Sequence, residues 1–158
     1  MTGPVLVVDF DGLLNPMPEG WFDLGTHNTA SARDAVEFLI DATEYFEVSV
    51  FGPRSLMFGG IQIMQAAIIF WTTMEVNKAT MHDLMSALVF PTEMPRSFCA
   101  AVNGSGVKWG DTKDALPQEG IEFIEGWQRR LAFAAGRQAQ GLGASAPAQV
   151  AQATQAEA

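Results

Sequence analysis

The sequence is short of basic residues and cysteine. Of its 158 residues only nine are Lys or Arg, against 18 Asp or Glu, and the formal net charge is −9. Proteins that bind nucleic acid without sequence preference use Lys and Arg to meet the phosphates, so we expect no nucleic acid partner. The single cysteine, Cys99, excludes an internal disulfide and is typical of the reducing cytosol.

Long apolar runs are also missing. No stretch reaches the roughly 20 apolar residues of a membrane span, and the first residues lack the basic and apolar segments of a secretory signal. These features predict a cytoplasmic protein without a membrane partner. The length suits one α/β domain, which we place at residues 1–135. The Ala- and Gln-rich residues 136–158 predict a disordered tail.

The strongest pattern lies near the start of the chain. Val5-Leu6-Val7-Val8 is a short β-branched run that predicts a strand buried on both faces. Asp9 and Asp11 follow it at once, and Gly12 comes next. Chemistry in open α/β sheets lies just past the carboxyl ends of the strands, so we expect both carboxylates at a crevice. One could act as a nucleophile or hold Mg²⁺ while the other carries a proton; the alternative is an ordinary Asp-rich turn.

Hydrophobic spacing predicts the remaining elements. Short connections suit βαβ units and a mainly parallel sheet. Ser31 is a suitable N-cap for the first helix. The predicted helices are residues 31–43, 61–74, 121–133 and a short one within 75–85, and the predicted strands are 46–51, 87–90 and 98–102.

The predicted helix at residues 61–74 is apolar nearly all round. A helix that covers a sheet normally keeps one polar face. A second apolar contact, such as a homo-oligomer interface through this helix, would explain the pattern. Deeper burial within the same domain is the alternative.

Several of these segments together resemble the haloacid dehalogenase-like (HAD) phosphohydrolase superfamily, whose first motif is an apolar strand followed by D-x-D-G. The likeness covers roughly residues 4–127 in the family's order, including Gly52-Pro53-Arg54-Ser55 and Phe90-Pro91-Thr92-Glu93-Met94-Pro95. These segments look like a small, cap-poor branch of that superfamily, which is common in bacteriophage and bacterial genomes. The resemblance implies a single doubly wound, three-layer α/β domain with a mainly parallel, Rossmann-like sheet. The cap would be minimal, and Trp21 would either form one wall of the site or pack onto the core.

The resemblance also implies a reaction. Asp9 would attack the phosphorus of a phosphorylated small molecule and form an aspartyl-phosphate. Asp11 would protonate the leaving group and then activate water. The cofactor Mg²⁺ would lie on the Asp9 carboxylate, the Asp11 main-chain carbonyl and Asn103. The substrate phosphate would meet the loop after the second strand, at Gly52, Ser55 and Arg54, although Arg54 could instead tie the loop by a salt bridge.

Three motifs depart from the family pattern. Gly52 replaces a Ser or Thr, Met94 replaces a lysine, and Val102-Asn103-Gly104 replaces an acidic pair. Losing one preorganised charge contact to a transition state costs on the order of 3 kcal/mol. The sequence therefore predicts a phosphohydrolase of weakened activity. The alternative is a catalytically inactive HAD-like domain that serves as a binding or assembly module. A third hypothesis is a sensor that binds a phosphate ligand without hydrolysing it.

Overall fold

A computed structural model of the protein describes residues 3–16, 31–32 and 34–130. These residues form a mixed α/β fold around a four-stranded open sheet in the order β2-β1-β3-β4. The strands are β1 (Val5–Val8), β2 (Glu47–Val50), β3 (Ala100–Asn103) and β4 (Gly106–Trp109). The predicted α/β class is confirmed at this level.

The strand β1 lies at the centre of the sheet. It runs parallel to β2 on one side and to β3 on the other, with Val8 opposite Val50 and Val102. Both neighbours cover its hydrogen-bonding edges. Leu6 and Val8 on one face are fully buried, and Val7 on the opposite face is 4 % exposed. Burial on both faces explains why this run of Val and Leu lacks polar alternation, as the sequence predicts.

Two features extend the sheet at its ends. On the outer side of β2, Val89 forms a single parallel bridge with Ser49. On the other edge, β4 turns back and pairs antiparallel with β3 through the turn that follows Asn103. The predicted strand at 87–90 is thus reduced to one bridging residue, because only Val89 exchanges hydrogen bonds with Val48 and Val50.

Helices pack against this sheet and against each other. Four are described, together with 3₁₀ turns at Pro53–Leu56 and Lys113–Ala115. The helices are α1 (Ala35–Ala42), α2 (Gly60–Glu75), α3 (Lys78–Ala87) and α4, which covers residues 118–130. An aromatic cluster joins α1 to α4, since the Phe38 ring lies 5.2 Å from that of Trp127 and 6.2 Å from that of Phe123.

The helix starts differ from the prediction. Ser31 is not the N-cap of α1, because its hydroxyl donates to the Glu75 carboxylate at the end of α2 instead. The N-cap is Asp34, in a left-handed conformation with φ 64° and without a side-chain capping bond. The short helix expected within 75–85 begins later, at Lys78, because the Asn77 side chain accepts from the Thr80 N–H and caps it. Trp21 and the tail at 136–158 lie outside the described residues.

The apolar helix α2 is buried along one face only. Met64, Ile68 and Trp71 are almost fully buried, whereas Ile69 is 39 % and Met74 69 % exposed. Deeper burial therefore does not account for all of its apolar character. Within the described part of the chain, no helix combines the length and hydrophobicity needed to cross a membrane.

The substitution Thr72→Val should stabilise the protein. Thr72 is fully buried on α2, and its Oγ1 is the buried side-chain polar atom without a hydrogen-bond partner among the described residues. Valine has nearly the same shape and removes a desolvated hydroxyl, so we expect a gain of about 1 kcal/mol in the free energy of unfolding. Denaturant unfolding measures it. Thr73→Val, at a partly exposed position next along the helix, is the control and should change little; a loss of stability in Thr72→Val would contradict the assignment.

Candidate functional site

The strand β1 delivers Asp9 to the carboxyl edge of the sheet. The Asp9 N–H donates to the Val102 carbonyl of β3 at 3.0 Å, and on the β2 side the Phe51 N–H donates to the Val8 carbonyl at 3.0 Å. Three parallel strand ends therefore meet at Asp9. Its side chain is partly exposed, and its Oδ1 accepts from the N–H of Phe10 at 2.9 Å.

Asp11 lies in the turn after β1 and forms a buried ion pair with Arg54. The Arg54 Nε is 2.7 Å from Oδ2 of Asp11, and the Nη2 is 2.9 Å from Oδ1. Arg54 is 1 % and Asp11 9 % exposed. The Nδ2 of Asn15 also donates to Oδ1 of Asp11 at 2.9 Å. Of the two roles considered for Arg54, the structure shows the salt bridge.

This ion pair is embedded in the core. The guanidinium of Arg54 lies 5.1 Å from the centroid of the Phe10 ring, and that ring stacks on Trp71 of α2 at 5.7 Å. A bidentate pair with a planar fork is among the stronger charge-assisted contacts. Removing one partner of such a buried pair typically costs about 3–5 kcal/mol. Asp11 and Arg54 are therefore held to each other.

The loop after β2 brings Gly52 against Asp9. A Cβ on Gly52 would lie 2.6 Å from Oδ1 of Asp9, closer than unbonded atoms can approach. The Gly52 N–H donates to Oγ of Ser55 at 3.2 Å, and the Ser55 N–H donates back to the Gly52 carbonyl at 2.9 Å. Ser55 is buried and closes this turn. Its predicted contact with a phosphate stays a prediction.

Asn103 ends β3 on the opposite side of Asp9. Its Oδ1 accepts from the N–H of Ser105 at 2.7 Å and from that of Gly106 at 3.1 Å. This carbonyl oxygen therefore closes the turn between β3 and β4. To coordinate Mg²⁺ it would have to give up both hydrogen bonds.

The described residues do not form a ready Mg²⁺ centre. They contain no group of three or more His, Cys, Asp or Glu side chains placed to hold a metal ion. Mg²⁺ is usually held by one or two carboxylates and further oxygens in near-octahedral geometry. Here Asp9 supplies one carboxylate, while the side-chain oxygens of Asp11 and Asn103 serve other contacts. The Asp11 main-chain carbonyl stays a predicted ligand. Mg²⁺ binding stays a prediction from the resemblance, and no step of the reaction proposed below depends on it.

Among the residues that the structure describes, positive charge is also scarce around Asp9. Met94, which stands where the resemblance expects a lysine, is 42 % exposed, and Arg96 and Lys108 are exposed as well. Lys108 lies on β4 opposite Ala101, two strands away from β1. Among the ion pairs of the described residues, none includes Asp9.

The two carboxylates consequently differ in their electrostatics. Burial raises the pKa of Asp9 above its ordinary value, the hydrogen bond from Phe10 lowers it in part, and the charge of Asp11 raises it further. Asp11, in contrast, has its counter-ion in Arg54 at contact distance. Within the described ranges, Asp9 has no counter-ion to offset the cost of its partial burial.

No family model, curated protein or solved structure matches this chain. The resemblance to the HAD superfamily therefore stays a prediction from the sequence.

Asn15 is a site residue that the sequence analysis missed. It is 1 % exposed. Its main-chain N–H donates to the Phe10 carbonyl, and its side-chain Nδ2 donates to Oδ1 of Asp11, so both groups stabilise the turn that carries Asp11. The signal was present, since an Asn followed by Pro16 four residues after Asp11 is typical of a turn in which an amide meets a nearby backbone or carboxylate. The structure thus brings together Asp9, Asp11, Gly52, Arg54 and Ser55, with Asn103 at the end of the adjacent strand.

The substitution Asp9→Asn should stabilise the fold at neutral pH. A group whose pKa is raised by folding favours the folded state only while it is protonated, so stability is lost as the pH rises through its folded pKa. Asn is neutral at every pH and removes this effect. The variant should melt higher than wild type at pH 7, and the difference should shrink as the pH falls below the range in which an ordinary aspartate titrates.

Asp111→Asn is the control of opposite sign. The hydrogen bonds that Asp111 accepts from the Phe98 N–H and the Ser97 hydroxyl lower its pKa. Its charge therefore favours the fold above the ordinary aspartate range, and the control should melt lower than wild type at pH 7. Thermal melting against pH measures both variants. An Asp9→Asn variant that is less stable at pH 7 would contradict the electrostatic account.

Proposed function

We propose that this chain is a HAD-like phosphohydrolase of weakened activity, in which Asp9 attacks a phosphate monoester. One observation carries the proposal: the Asp9 carboxylate stands partly exposed at the end of the central parallel strand, without a counter-ion among the described residues. A charge that burial disfavours, beside a second carboxylate at a strand end, is typical of a catalytic site. An Asp-rich turn needs no such charge.

The HAD-like, doubly wound architecture is part of this proposal. It is supported by the order β2-β1-β3, in which the strand that carries Asp9 has a parallel neighbour on each side. The bridge of Val89 to β2 continues the same parallel arrangement outward. Parallel strands joined by helices are the defining feature of doubly wound sheets.

The proposed reaction begins at the free side of the Asp9 carboxylate. Oδ1 accepts the Phe10 N–H and faces Gly52, and no hydrogen bond from another described residue ends on Oδ2. An Asp9 oxygen would form a bond to phosphorus while the bond to the leaving oxygen breaks. The product is an aspartyl-phosphate, which water then hydrolyses.

The weakness of the activity follows from what surrounds Asp9. Arg54, the one buried cation among the described residues, forms an ion pair with Asp11. Asn103 closes a turn, and Met94 carries no charge. Each missing charge contact typically costs a hundredfold or more in rate, roughly 3 kcal/mol. Slow turnover is therefore the expectation.

Hydrolysis of an aryl phosphate tests this proposal. We expect slow release of the phenol by the wild-type chain in Mg²⁺ buffer, and a loss of about a hundredfold or more in Asp9→Asn, because an amide is a far poorer nucleophile than a carboxylate. Asp83→Asn makes the same charge change at an exposed position of α3 and should leave the rate unchanged. Equal rates in wild type and Asp9→Asn would overturn the nucleophile assignment.

A second candidate, a module that assembles with another copy of itself, is favoured by a different observation. From Ser55 to Met74 the chain has no charged residue. This stretch exposes Leu56 by 72 % and Phe58 by 108 %. Because each copy carries a net charge of −9, two copies repel each other least where they meet through uncharged surface.

Sedimentation at increasing protein concentration tests the second candidate. We expect a concentration-dependent dimer that Phe58→Lys weakens by about tenfold or more, as for a well-packed aromatic contact. Met94→Lys adds the same positive charge at an exposed apolar residue outside this stretch and should leave the dimer intact. A monomer at all concentrations would exclude self-assembly through this surface.

A further inference from the structure

Gly52 borders the carboxylate of Asp9 so closely that its residue type matters. A Cβ at this position would lie 2.6 Å from Oδ1 of Asp9, whereas the next nearest atoms, the Asp9 Cγ and the Phe10 main-chain N, would both be 3.8 Å away. A distance of 3.8 Å is ordinary van der Waals contact. Oδ1 is therefore the atom that occupies the space of a side chain at position 52.

The main-chain conformation of Gly52 does not itself require glycine. Its φ is −168° and its ψ is −171°, which is extended backbone that other residues adopt as well. The usual reason for a glycine in a loop is a positive φ, and that reason does not apply here. The close approach of Oδ1 is what favours glycine at this position.

Hydrogen bonds that involve the main chain hold both sides of this contact. Gly52 exchanges two of them with Ser55, at 3.2 and 2.9 Å, at the start of the 3₁₀ turn Pro53–Leu56. On the other side, the Asp9 N–H donates to the Val102 carbonyl of β3 at 3.0 Å. A side chain at position 52 would therefore displace the carboxylate of Asp9, whose torsions change more readily than a paired main chain.

The orientation of this carboxylate decides which of its oxygens is available. Oδ1 accepts from the Phe10 N–H at 2.9 Å, and a rotation of the carboxylate away from position 52 would break that bond. No hydrogen bond from another described residue ends on Oδ2. The space at Gly52 therefore keeps one oxygen of Asp9 on a main-chain donor and leaves the other for a ligand.

We propose that Gly52 is a positioning residue that sets the orientation of the Asp9 carboxylate, with Oδ1 on the Phe10 N–H and Oδ2 as the oxygen that attacks phosphorus. The role of Oδ2 rests on the proposed function, whereas the orientation does not. The resemblance treats Gly52 as a Ser or Thr that has been lost. The geometry instead makes glycine the residue that this orientation of Asp9 requires, so a hydroxyl-bearing residue at position 52 lowers the rate.

The transfer step depends on this placement. A lone pair of Oδ2 forms the bond to phosphorus while the bond from phosphorus to the leaving oxygen breaks. The electron pair of that bond leaves with the donor, as a phenolate in the case of an aryl phosphate, and water later releases phosphate from Asp9. A misplacement of about 1 Å can cost about a hundredfold in rate, so a displaced carboxylate reacts far more slowly.

NMR spectroscopy of the Phe10 amide tests the orientation without any substrate. Gly52→Ala adds only a Cβ, and we expect the Phe10 amide proton to exchange with solvent about tenfold faster, because it loses a charged acceptor. Its resonance should move to the position that it has in Asp9→Ala, where Oδ1 is missing. A Phe10 amide that does not respond to Gly52→Ala would overturn the inference.

Two controls accompany this measurement. In the Asp9→Ala background, Gly52→Ala should have no further effect on the Phe10 amide, because the atom that it displaces is gone. Gly126→Ala, whose Cβ would meet its nearest atom at 4.0 Å, should leave that amide unchanged. If Gly52→Ala alone does not fold, recovery of the fold in the double variant would support the contact with Asp9, and an unfolded double variant would overturn it.

Hydrolysis of an aryl phosphate tests the consequence for transfer. We expect kcat to fall by about a hundredfold in both Gly52→Ala and Gly52→Ser. KM should change by less than about twofold, because the nucleophile is affected and ground-state binding is not. Gly126→Ala should keep the wild-type rate. A Gly52→Ser variant as fast as wild type or faster would show a missing hydroxyl rather than a required glycine, and would overturn the inference.

The two measurements separate a failure of this inference from a failure of the proposed function. Hydrolysis that depends on Asp9 but not on Gly52 would keep the proposed function and overturn the inference. A response of the Phe10 amide to Gly52→Ala, together with no hydrolysis by wild type, would keep the positioning role of Gly52. That result would overturn the attack by Oδ2 and the proposed function with it.

Discussion

The buried ion pair between Asp11 and Arg54 is the interaction on which the site depends. It joins the turn after β1 to the loop after β2 and fixes both at the carboxyl edge of the sheet. The pair is possible only because its charges and hydrogen-bonding groups satisfy one another; an unpaired charge at this depth would be strongly destabilising. The turn at Asn15, the ring of Phe10 and the loop at Gly52 are all positioned around it.

The same pair extends its influence to helix α2. Arg54 lies in the 3₁₀ turn that leads into this helix, and a Cβ on Gly60 would collide with the Arg54 main-chain oxygen. Only glycine permits the helix to start so close to the loop, which is a close-approach role rather than a need for flexibility. Phe10 then stacks on Trp71 further along the helix. One ion pair therefore connects the central strand, the loop and α2.

Sequence reasoning anticipated the parts of the fold that depend on local pattern. The buried strand before Asp9 and the helix predicted at residues 61–74, which begins at Gly60, follow from hydrophobic runs, glycines and short connections. It was wrong where a structural detail depended on a contact with a distant segment rather than on local pattern. Ser31 bonds to Glu75 rather than capping α1, and the strand near Val89 pairs through a single residue. Such choices depend on which segments meet in three dimensions, which hydrophobic spacing does not encode.

The candidate site shows the same division. That Asp9 and Asp11 stand at a strand end could be predicted, because position in an α/β sheet follows from the strand itself. A salt bridge of Arg54 was one of two alternatives, but its partner Asp11 was not predicted, because the sequence places these residues 43 positions apart. The D-x-D pattern predicts two carboxylates at a strand end, but the difference in their electrostatic surroundings is seen only in the fold. Asp11 is paired with a buried cation and has a structural reason to be present, so its presence alone does not indicate catalysis. Asp9 has no such counter-ion in the described part of the chain, and the case for chemistry at this site therefore depends on Asp9.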